Sequence, residues 1–505
     1  MSDMDRRGFL KKAAIGTVAA VAGTGLLSGC NSSTAAPKPE VPVDKNWDVE
    51  TDIVVAGAGI GGLCAAMAAA EKGVKVIMLE ASGILGGTAL FSGGGIHVWG
   101  EVNYEDMKAR IPLLDPVLGK VMMDNWDTTY KWLAGIKAPW QDIKAAFGTM
   151  LGENACFMGP DYQSRQATAD ALGSYFESLG GEIQRNTKAV KLFANEDGKV
   201  TGIRVLKDNK TYVNIKSKAV VLATGGFSNN PEMRVKYYGQ YADSAVSRSV
   251  PYNRGEAFLM ASEVGALMSR SFGTAYGHVQ SYPCIVPQTD EEYEKFDKDL
   301  LRALMGAIQG FTAFSLAVNI YGKRFIDESL GDDLLNMEIC KQEEGRVFVL
   351  LDSETAKIHL KNIELIKANG GVVITEDTIQ GLVQKMAGYG YDAEQLQLTI
   401  DEFNKAVDSE RTKYLAVPRI KNANKLHTGP FYAIQATAGI SGPYGGIKIN
   451  SNAQAIGRGE IPIPGLYAAP HAAGGIFAKH YGGSLGLCAA FGRIAGQSAA
   501  AGIQA

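Results

Sequence analysis

The chain has 505 residues, of which 46% are hydrophobic and 20% are charged, and this balance excludes a disordered protein and a coiled coil. A formal net charge of -3 gives no electrostatic basis for binding nucleic acid, so no nucleic-acid partner is predicted. Glycine is in excess, at 60 of 505 residues or about 12%, where ~7% is usual. We expect the excess to serve places where the backbone approaches a ligand or another segment closely.

The first 30 residues predict an export signal. Arg6 and Arg7 start a twin-arginine pattern, and an uncharged apolar run follows from Ala13 to Leu27. This run is too short to cross about 30 Å of hydrocarbon as a helix, and its flanks are typical of a signal peptide. Leu27 to Cys30 resembles a bacterial lipobox, which predicts a mature chain anchored to the membrane by a lipid on Cys30. The alternative is a plain cleaved signal with an incidental cysteine.

Residues 31–47 are predicted to be a flexible tether between the signal and the folded chain. The export signal and tether predict a periplasmic or cell-surface protein. Twin-arginine export carries folded proteins, and it therefore suits an enzyme that acquires its cofactor in the cytoplasm. The six cysteines are dispersed, with no two within four residues of each other, which disfavours iron–sulfur, zinc and c-haem sites. No metal is predicted.

The strongest motif begins at residue 52. Residues 52–56 read as a buried strand, Gly57 to Gly62 form a GxGxxG pattern, and residues 63–70 read as a helix. A second strand, residues 74–79, ends at Glu80. The order strand, glycine turn, helix, strand and acid predicts a site for an adenine dinucleotide.

Each residue of this motif has a predicted physical role. Gly57 permits the tight turn, and Gly59, after Ala58, lets the backbone approach a pyrophosphate at the helix N-terminus. Gly62 lets the helix pack closely on the strand. Glu80 is placed to accept a hydrogen bond from the adenosine ribose.

Further glycine clusters predict that the ligand is extended. Residues 86–95 form a second cluster just past the acid, and residues 219–227 form another strand that runs into a glycine turn. Near the C-terminus, residues 465–469 lead to glycine pairs at 474–475 and 482–483. An extended ligand therefore meets backbone in several places.

From about residue 50 to the end, these segments resemble, in order, the flavoprotein family of fumarate reductases, succinate dehydrogenase flavoprotein subunits, urocanate reductases and 3-ketosteroid dehydrogenases. The resemblance implies an α/β (α+β) fold, with a Rossmann-like FAD-binding domain, an inserted mobile capping domain and a non-covalent FAD. Glu256 departs from the family's usual TGDG pattern, and His471 stands where many members have a flavin-contacting Glu. The residues implied to bind FAD are Gly57, Ala58, Gly59, Gly62, Glu80, Gly87, Thr88, Gly93, Gly94, Val190, Thr224, Gly225, Glu256, His471, Ser484 and Leu485.

The same resemblance implies the domain organisation. The FAD-binding domain is expected at residues 48–270 and 420–505, the capping domain at 271–375, and a helical connection at 376–419. Residues 319–328 resemble a hairpin that the family places near the cap, and their simpler interpretation is a turn at Tyr321 to Lys323. Between Asp392 and Val407, apolar residues recur at helical spacing, which predicts a core helix.

Family members that reduce fumarate clamp its carboxylates with arginine and histidine, and an arginine donates the proton. Local comparison places other residues at each of these positions. Tyr282 replaces a carboxylate-binding histidine, and Asp332 lies at or beside the place of the donor arginine. The remaining positions fall near residues 307–308, 441–446 and 478–483, and none retains the family's residue. The sequence therefore predicts that the chain is not a fumarate reductase.

Aromatic residues at these positions indicate a different substrate. Tyr282, Tyr444, His480 and Tyr481 are expected to face the substrate side of the flavin and are the candidate catalytic residues. Tyr481, or His480, would polarise the substrate, and Tyr444 or Tyr282 would deliver a proton. Phenol donors on an aromatic wall suit a neutral, flat, partly apolar ligand. The alternative is that the tyrosines only pack behind the site.

These observations predict an exported FAD-dependent reductase of activated C=C bonds in neutral, flat, carbonyl- or aryl-conjugated substrates of the steroid-enone or plant-phenolic type. Because no fused haem or covalent-FMN segment is visible, electrons are expected from a separate membrane or periplasmic redox protein. One alternative is a 3-ketosteroid 1,2-dehydrogenase that works in the oxidative direction. Another, of a different class, is a non-catalytic flavin electron carrier.

Overall fold

The computed structural model describes residues 46–99, 103–148, 154–284 and 290–504. The twin-arginine signal, Cys30 and most of the tether lie outside the described residues, so the predictions about them are not tested. Within the described ranges, no helix has both the length and the hydrophobicity that crossing a membrane requires.

A six-stranded sheet forms the centre of the fold. Its first strand, Ile53–Ala56, pairs in parallel with Val76–Leu79 on one side and Ala219–Leu222 on the other. All four residues of each of these three strands are buried, as expected of strands covered on both faces. Glu182–Gln184 is the parallel strand at one edge. On the other side, Pro462–Ala468 pairs in parallel with Ala219–Leu222, and Gln454–Ile456 pairs antiparallel with it to form the other edge.

The helix Ile60–Ala70 follows the first strand, as the sequence predicts, and is buried along its whole length. It packs against the C-terminal helix Ser484–Gln504. A Cβ atom on Gly492 would lie 2.3 Å from the carbonyl oxygen of Gly61, so only glycine permits this approach. The strand–turn–helix–strand order confirms the predicted α/β fold and its Rossmann-like element.

A second, five-stranded sheet is centred on Phe431–Thr437. This strand pairs antiparallel with Arg346–Leu351 and with Val373–Glu376. The helix Ala393–Asp408 buries Leu396, Ile400 and Phe403 in the core that adjoins this sheet, which confirms the predicted helical stripe. The central strand thus comes from the predicted FAD-binding domain, and its partners come from the predicted cap and connection. The division into two domains stays a prediction.

The predicted turn at Tyr321 to Lys323 is present. The Asn319 backbone amide donates to the Lys323 carbonyl oxygen at 3.0 Å, after the strand Leu316–Val318. No second strand follows before Glu328, where a 3₁₀ helix begins. Instead, the fully buried Glu328 carboxylate receives hydrogen bonds from Arg324 and Arg419. A buried ion pair network therefore fixes the segment after the turn.

The remaining elements complete the fold. The other helices are Tyr104–Arg110, Leu118–Gly135, Ile143–Phe147, Tyr162–Ser178, Pro231–Tyr238, Glu256–Glu263, Asp290–Lys295, Lys298–Gly306, Asp332–Ile339, Ser353–Ala356, Leu360–Ala368 and Ile379–Ala387. The other strands are Val49–Glu50, Gly95–Ile96, Cys156–Phe157, Thr187–Ala194, Val200–Lys207, Thr211–Lys216, Val246–Ser247, Ala275–Tyr276, Gln280–Ser281, Gly439–Ile440, Gly442–Pro443 and Gln454–Ile456.

Candidate active site

A cavity of about 720 Å³ opens where the central parallel strands end. Gly57 and Gly59 line it after the first strand, Glu80 after the second, and Thr224 after the strand Ala219–Leu222. Ligands of open α/β sheets bind at this edge, because the loops that follow parallel strands converge there. Its volume is within the range of ligand cavities, about 300–1,000 Å³.

The glycine turn leaves room for a phosphate group. Gly57 has a φ of +103°, and a Cβ atom there would lie 2.4 Å from the Ala223 carbonyl oxygen. A Cβ atom on Gly62 would lie 1.8 Å from the Gly57 carbonyl oxygen. At Gly59, by contrast, a Cβ atom would meet nothing nearer than the Gly86 carbonyl oxygen at 4.0 Å. Gly59 is also the N-cap of the helix and supplies no side chain, so the first helical N–H groups are left for an anion.

Glu80 is held by the turn that precedes it and the loop that follows. Its carboxylate accepts hydrogen bonds from the Ala58 amide at 3.0 Å and from the Ser82 amide and hydroxyl, both at 2.8 Å. Burial raises the pKa of Glu80, and these hydrogen bonds partly oppose that effect. The carboxylate is thus fixed in orientation at the wall of the cavity.

Most of the residues predicted to bind FAD line this one cavity. The exceptions are Gly62, Gly94 and Val190. Gly62 packs beneath the turn, and a Cβ atom on Gly94 would lie 2.7 Å from the Gly159 carbonyl oxygen. Val190 directly follows three consecutive lining residues, 187–189, and the lining residue Glu256 forms an ion pair of 2.7 Å with Lys188. The lining residues among the predictions are Gly57, Ala58, Gly59, Glu80, Gly87, Thr88, Gly93, Thr224, Gly225, Glu256, His471, Ser484 and Leu485.

The lining fits FAD. Backbone and the Glu80 carboxylate surround one end, the open N-terminus of the helix Ile60–Ala70 lies in the middle, and aromatic residues form the other end. These three environments match an adenosine, a pyrophosphate and a flat ring system in the order in which FAD joins them.

The aromatic end is built by residues from distant parts of the chain. The Tyr276 and Tyr481 rings lie 5.4 Å apart between centroids, and the His471 ring lies 5.1 Å from that of Tyr276. The Ser484 hydroxyl lies 2.8 Å from His471 Nε2 and 2.9 Å from the Tyr276 hydroxyl. Burial lowers the pKa of His471 to about 4 and raises that of Tyr481 to about 12. These groups are therefore neutral near pH 7.

Tyr444 adjoins these aromatic residues but does not line the large cavity. Its ring is 5.6 Å from that of Tyr276, and it lines a small second cavity with Tyr276 and Tyr481 rather than the large one. Its hydroxyl is buried and makes no hydrogen bond within the described part of the chain. Burial raises the pKa of Tyr444 well above its usual value.

Two predicted catalytic residues do not line either cavity. Tyr282 directly follows the strand Gln280–Ser281 of the five-stranded sheet: its amide donates to the Gln435 carbonyl oxygen at 2.8 Å, and the Arg346 guanidinium lies 5.0 Å from its ring. His480 is exposed. Tyr481 and Tyr444 both line the small second cavity, whereas neither Tyr282 nor His480 lines either cavity.

Residues that the sequence analysis did not select also surround the cavity. Tyr276 and His278 line it, and His278 Nδ1 lies 2.6 Å from Asp332 Oδ2 and 3.7 Å from Asp333 Oδ1. Burial and the charge of Asp332 raise the pKa of Asp333 to about 6, against the opposing charges of His278 and Arg248. The sequence signal that could have identified them is the alternation of side chains in an extended segment: residues two apart, such as Tyr276 and His278, share a face.

A family model described as FAD binding domain, FAD_binding_2, matches residues 52–487. The urocanate reductase of Eggerthella lenta is 27% identical over 495 residues, which cover 92% of this chain and 76% of that protein. The vinyl phenol reductase of Lactiplantibacillus plantarum is 25% identical over 504 residues, with 89% and 96% covered. A solved structure of the open conformation of a flavocytochrome c3 fumarate reductase aligns with a TM-score of 0.67 at 25% identity, with 91% of this chain and 79% of that chain covered.

Proposed function

Because the chain belongs to the FAD binding domain family matched over residues 52–487, we propose that it is an FAD-dependent reductase of activated C=C bonds in neutral, flat, carbonyl- or aryl-conjugated substrates. It is an oxidoreductase of the class that acts on CH–CH groups. When bound and reduced, FAD supplies the hydride for such a reaction. The vinyl phenol and urocanate reductases named above are proteins that this chain resembles along most of its length, and they support this reaction class.

We infer the substrate class from the aromatic residues of the cavity, which we call the aromatic wall. Tyr276, Tyr481 and Trp99 line the end of the cavity opposite the adenosine-binding part. The Trp99 and Tyr481 rings are 6.5 Å apart and nearly perpendicular, at 85°. Large apolar faces with hydroxyl groups at their edges favour a flat ligand that carries a single polar group.

The charges near the wall also favour a neutral ligand. Arg248 and Arg302 line the cavity, but each donates to a backbone carbonyl oxygen, of Met305 and Ser92 respectively. Asp332 and Asp333 act on Arg248 electrostatically and partly compensate its charge. Although Asp332 and Asp333 do not themselves line the cavity, their charges act against an anion beside Arg248, and we infer that a neutral ligand is preferred to a dicarboxylate.

We assign the polarising role to Tyr481. A neutral phenol can donate a hydrogen bond to a substrate carbonyl or hydroxyl oxygen, and it stabilises charge that develops there during reduction. Tyr276 is proposed to support the same face of the substrate, since its hydroxyl is already bonded to Ser484 and His471. Tyr444, whose ring lies 5.6 Å from that of Tyr276, is proposed to support Tyr276.

An anaerobic assay with reduced methyl viologen tests the proposal. The FAD-loaded protein is offered 4-vinylphenol, 4-hydroxycinnamate, a steroid enone, urocanate and fumarate. We expect reduction of an aryl- or carbonyl-conjugated alkene and none of fumarate. Oxidation of a 3-ketosteroid with a dye acceptor, without alkene reduction, would favour the dehydrogenase alternative. Turnover of dyes alone would favour an electron carrier.

We also propose that the protein is exported by the twin-arginine route, anchored by a lipid on Cys30 and reduced by a separate redox protein. The motifs at Arg6–Arg7 and Leu27–Cys30 support this. Metabolic labelling with a fatty acid tests it in cells. The Cys30→Ser variant should lose the label, and replacement of both arginines by lysine should leave unprocessed protein in the cytoplasm. Labelling that survives Cys30→Ser would contradict the anchor.

A further inference from the structure

His278 is an ionisable side chain on the cavity that the proposed function leaves without a role. It is the residue two positions after Tyr276, and both line the cavity. Its side chain is 37% exposed, and Nδ1 lies 2.6 Å from Asp332 Oδ2. Since Nδ1 is bound to a carboxylate, Nε2 is the ring nitrogen left for a group in the cavity.

The pair of His278 and Asp332 is held in place from two sides. The His278 amide donates to the Gly439 carbonyl oxygen at 3.2 Å. Asn336, fully buried on the helix that Asp332 begins, donates to the same oxygen at 3.0 Å and accepts from the Gly439 amide at 2.8 Å. Asp332 Oδ1 also accepts a hydrogen bond of 3.2 Å from the Thr312 hydroxyl. The orientation of the imidazole is therefore set by the fold.

The nearby tyrosines are less suited to supply a proton. The Tyr276 hydroxyl is bonded to His471 and Ser484, and Tyr444 does not line the large cavity. Burial raises the pKa of Tyr276, Tyr444 and Tyr481, which makes each a weaker acid. His278, by contrast, is half-buried, so water can return a proton to it after each turnover.

We propose, on the basis of the reductase function proposed above, that His278 is the proton donor to the substrate and that Asp332 is its positioning residue. In the imidazolium form, Nδ1–H donates to the Asp332 carboxylate and orients the ring, and Nε2–H is the proton that is delivered to the substrate. Asp333, whose carboxylate lies 3.7 Å from the same nitrogen, adds to the negative charge around the ring.

Hydride from reduced FAD adds to one alkene carbon, and the alkene electron pair moves toward the carbon next to the carbonyl or aryl group. That pair forms a C–H bond with the proton of imidazolium Nε2, and the N–H bonding pair stays on the nitrogen. The alkene gains two electrons and two hydrogens, reduced FAD loses two electrons with the hydride, and a proton from solvent restores the imidazolium of His278.

The test uses the FAD-loaded full chain with the fastest alkene of the panel above. The variants are His278→Asn and Asp332→Asn, and the matched control is His427→Asn. His427 also has Nδ1 near a carboxylate, that of Asp352 at 3.3 Å, but it lies outside the cavity lining. Three quantities are measured. The first is the rate at which the alkene reoxidises the pre-reduced protein. The second is the dissociation constant of the saturated product bound to the oxidised protein, from calorimetry, and the third is the face of the protonated carbon that carries deuterium after turnover in D₂O.

We expect reoxidation by the alkene to slow by about 10²- to 10⁴-fold in His278→Asn, as for loss of a general acid. Asp332→Asn should slow it less. The dissociation constant should stay within about twofold of wild type, because His278 is assigned to the chemistry and not to binding. The residual product should carry deuterium on both faces, since free water delivers from either side.

Other outcomes contradict the proposal in distinct ways. Wild-type reoxidation rates in His278→Asn would overturn it while leaving the reductase function intact. A weakened dissociation constant with an unchanged maximal rate would make His278 a substrate-binding group and would also overturn it. If the wild-type protein reduces no alkene of the panel, the reductase function fails, and the proposed donor fails with it.

Discussion

The hydroxyl oxygens of Tyr276 and Ser484 lie 2.9 Å apart, although 208 residues separate them in the chain. Ser484 begins the C-terminal helix, and Tyr276 ends a two-residue strand that pairs with Gly442–Pro443. His471 lies within hydrogen-bonding distance of both hydroxyls. Three remote segments therefore meet at the aromatic end of the cavity, and their packing decides which hydroxyl groups a substrate meets.

Tyr481→Phe tests the polarising group. We expect turnover to fall about 10²- to 10³-fold, as for loss of one donor that stabilises developing charge, while the flavin stays bound. Steady-state kinetics and the flavin absorption band measure the two effects. Tyr282→Phe is the control, since Tyr282 lies outside the cavity lining, and it should behave like wild type. Full activity of Tyr481→Phe would remove this tyrosine from the mechanism.

Gly59→Leu tests the pyrophosphate site. A side chain at Gly59 meets open space, so the protein should fold, but the side chain would occupy the approach to the helix N-terminus and exclude FAD. Flavin content per folded protein, from absorbance and circular dichroism, measures the effect. Gly135→Leu is the matched control, because a Cβ atom there meets nothing within 4 Å and the residue is exposed. A yellow Gly59→Leu protein would contradict the placement.

Fumarate and succinate are expected not to be substrates. Loss of one buried charge-assisted contact typically costs ~2–5 kcal/mol, and the positions that resemble the family's carboxylate clamp hold other residues throughout. Initial rates with reduced viologen and fumarate, at concentrations up to the millimolar range, provide the measurement. Robust fumarate turnover would show that the cationic residues on the cavity, such as Arg248 and Arg302, form a clamp of another geometry.

Glu328→Gln tests the buried ion pair network. Glu328 is fully buried, and its Oε2 atom lies 2.6 Å from nitrogen atoms of both Arg324 and Arg419. Removing the charge leaves two buried guanidinium groups uncompensated, so the free energy of unfolding should fall by about 3–5 kcal/mol. Urea denaturation measures this. Glu354→Gln, which breaks an exposed pair with Lys357, should change it by less than about 1 kcal/mol.

Asp333→Asn tests the raised pKa. The folded-state pKa of Asp333 is about 6, above its ordinary 3.8, because of burial and the charge of Asp332, which outweigh His278 and Arg248. The raised pKa therefore adds to the free energy of unfolding. This contribution is fully present below pH about 4 and is lost as pH rises through about 6. We expect the free energy of unfolding to fall less steeply between these values in the variant than in wild type. The free energy of unfolding is measured by denaturant titration at several pH values. The same change with pH in the variant and in wild type would contradict this.

The dinucleotide-binding half of the fold was predictable from local sequence. The strand Ile53–Ala56, the glycine turn and the helix Ile60–Ala70 follow one another without interruption, and each has its own residue-level signal. A tight turn needs glycine at a positive φ, and a fully buried strand needs a continuous apolar run. The acid at position 80 follows from the same unit, because the second strand is the next element of the chain.

The aromatic end of the cavity, which we propose to be catalytic, was only partly predictable. Tyr481 lines the cavity as expected, but Tyr282 does not, whereas Tyr276 and His278, a few residues earlier, do. Local comparison of the sequence contains no information about which face of a short irregular segment meets the cavity. That face is set by contacts such as the one between the His278 amide and the Gly439 carbonyl oxygen.

By itself, the sequence determined the elements whose causes are local: the phosphate-binding turn, the buried strands around it and the helical core stripe from Leu396 to Phe403. The tertiary structure alone decided which distant side chains share a hydrogen bond, such as His278 with Asp332, or Tyr276 with Ser484. The physical reason is that backbone conformation depends on neighbouring residues, whereas such pairs depend on how separate elements pack, which no local pattern encodes.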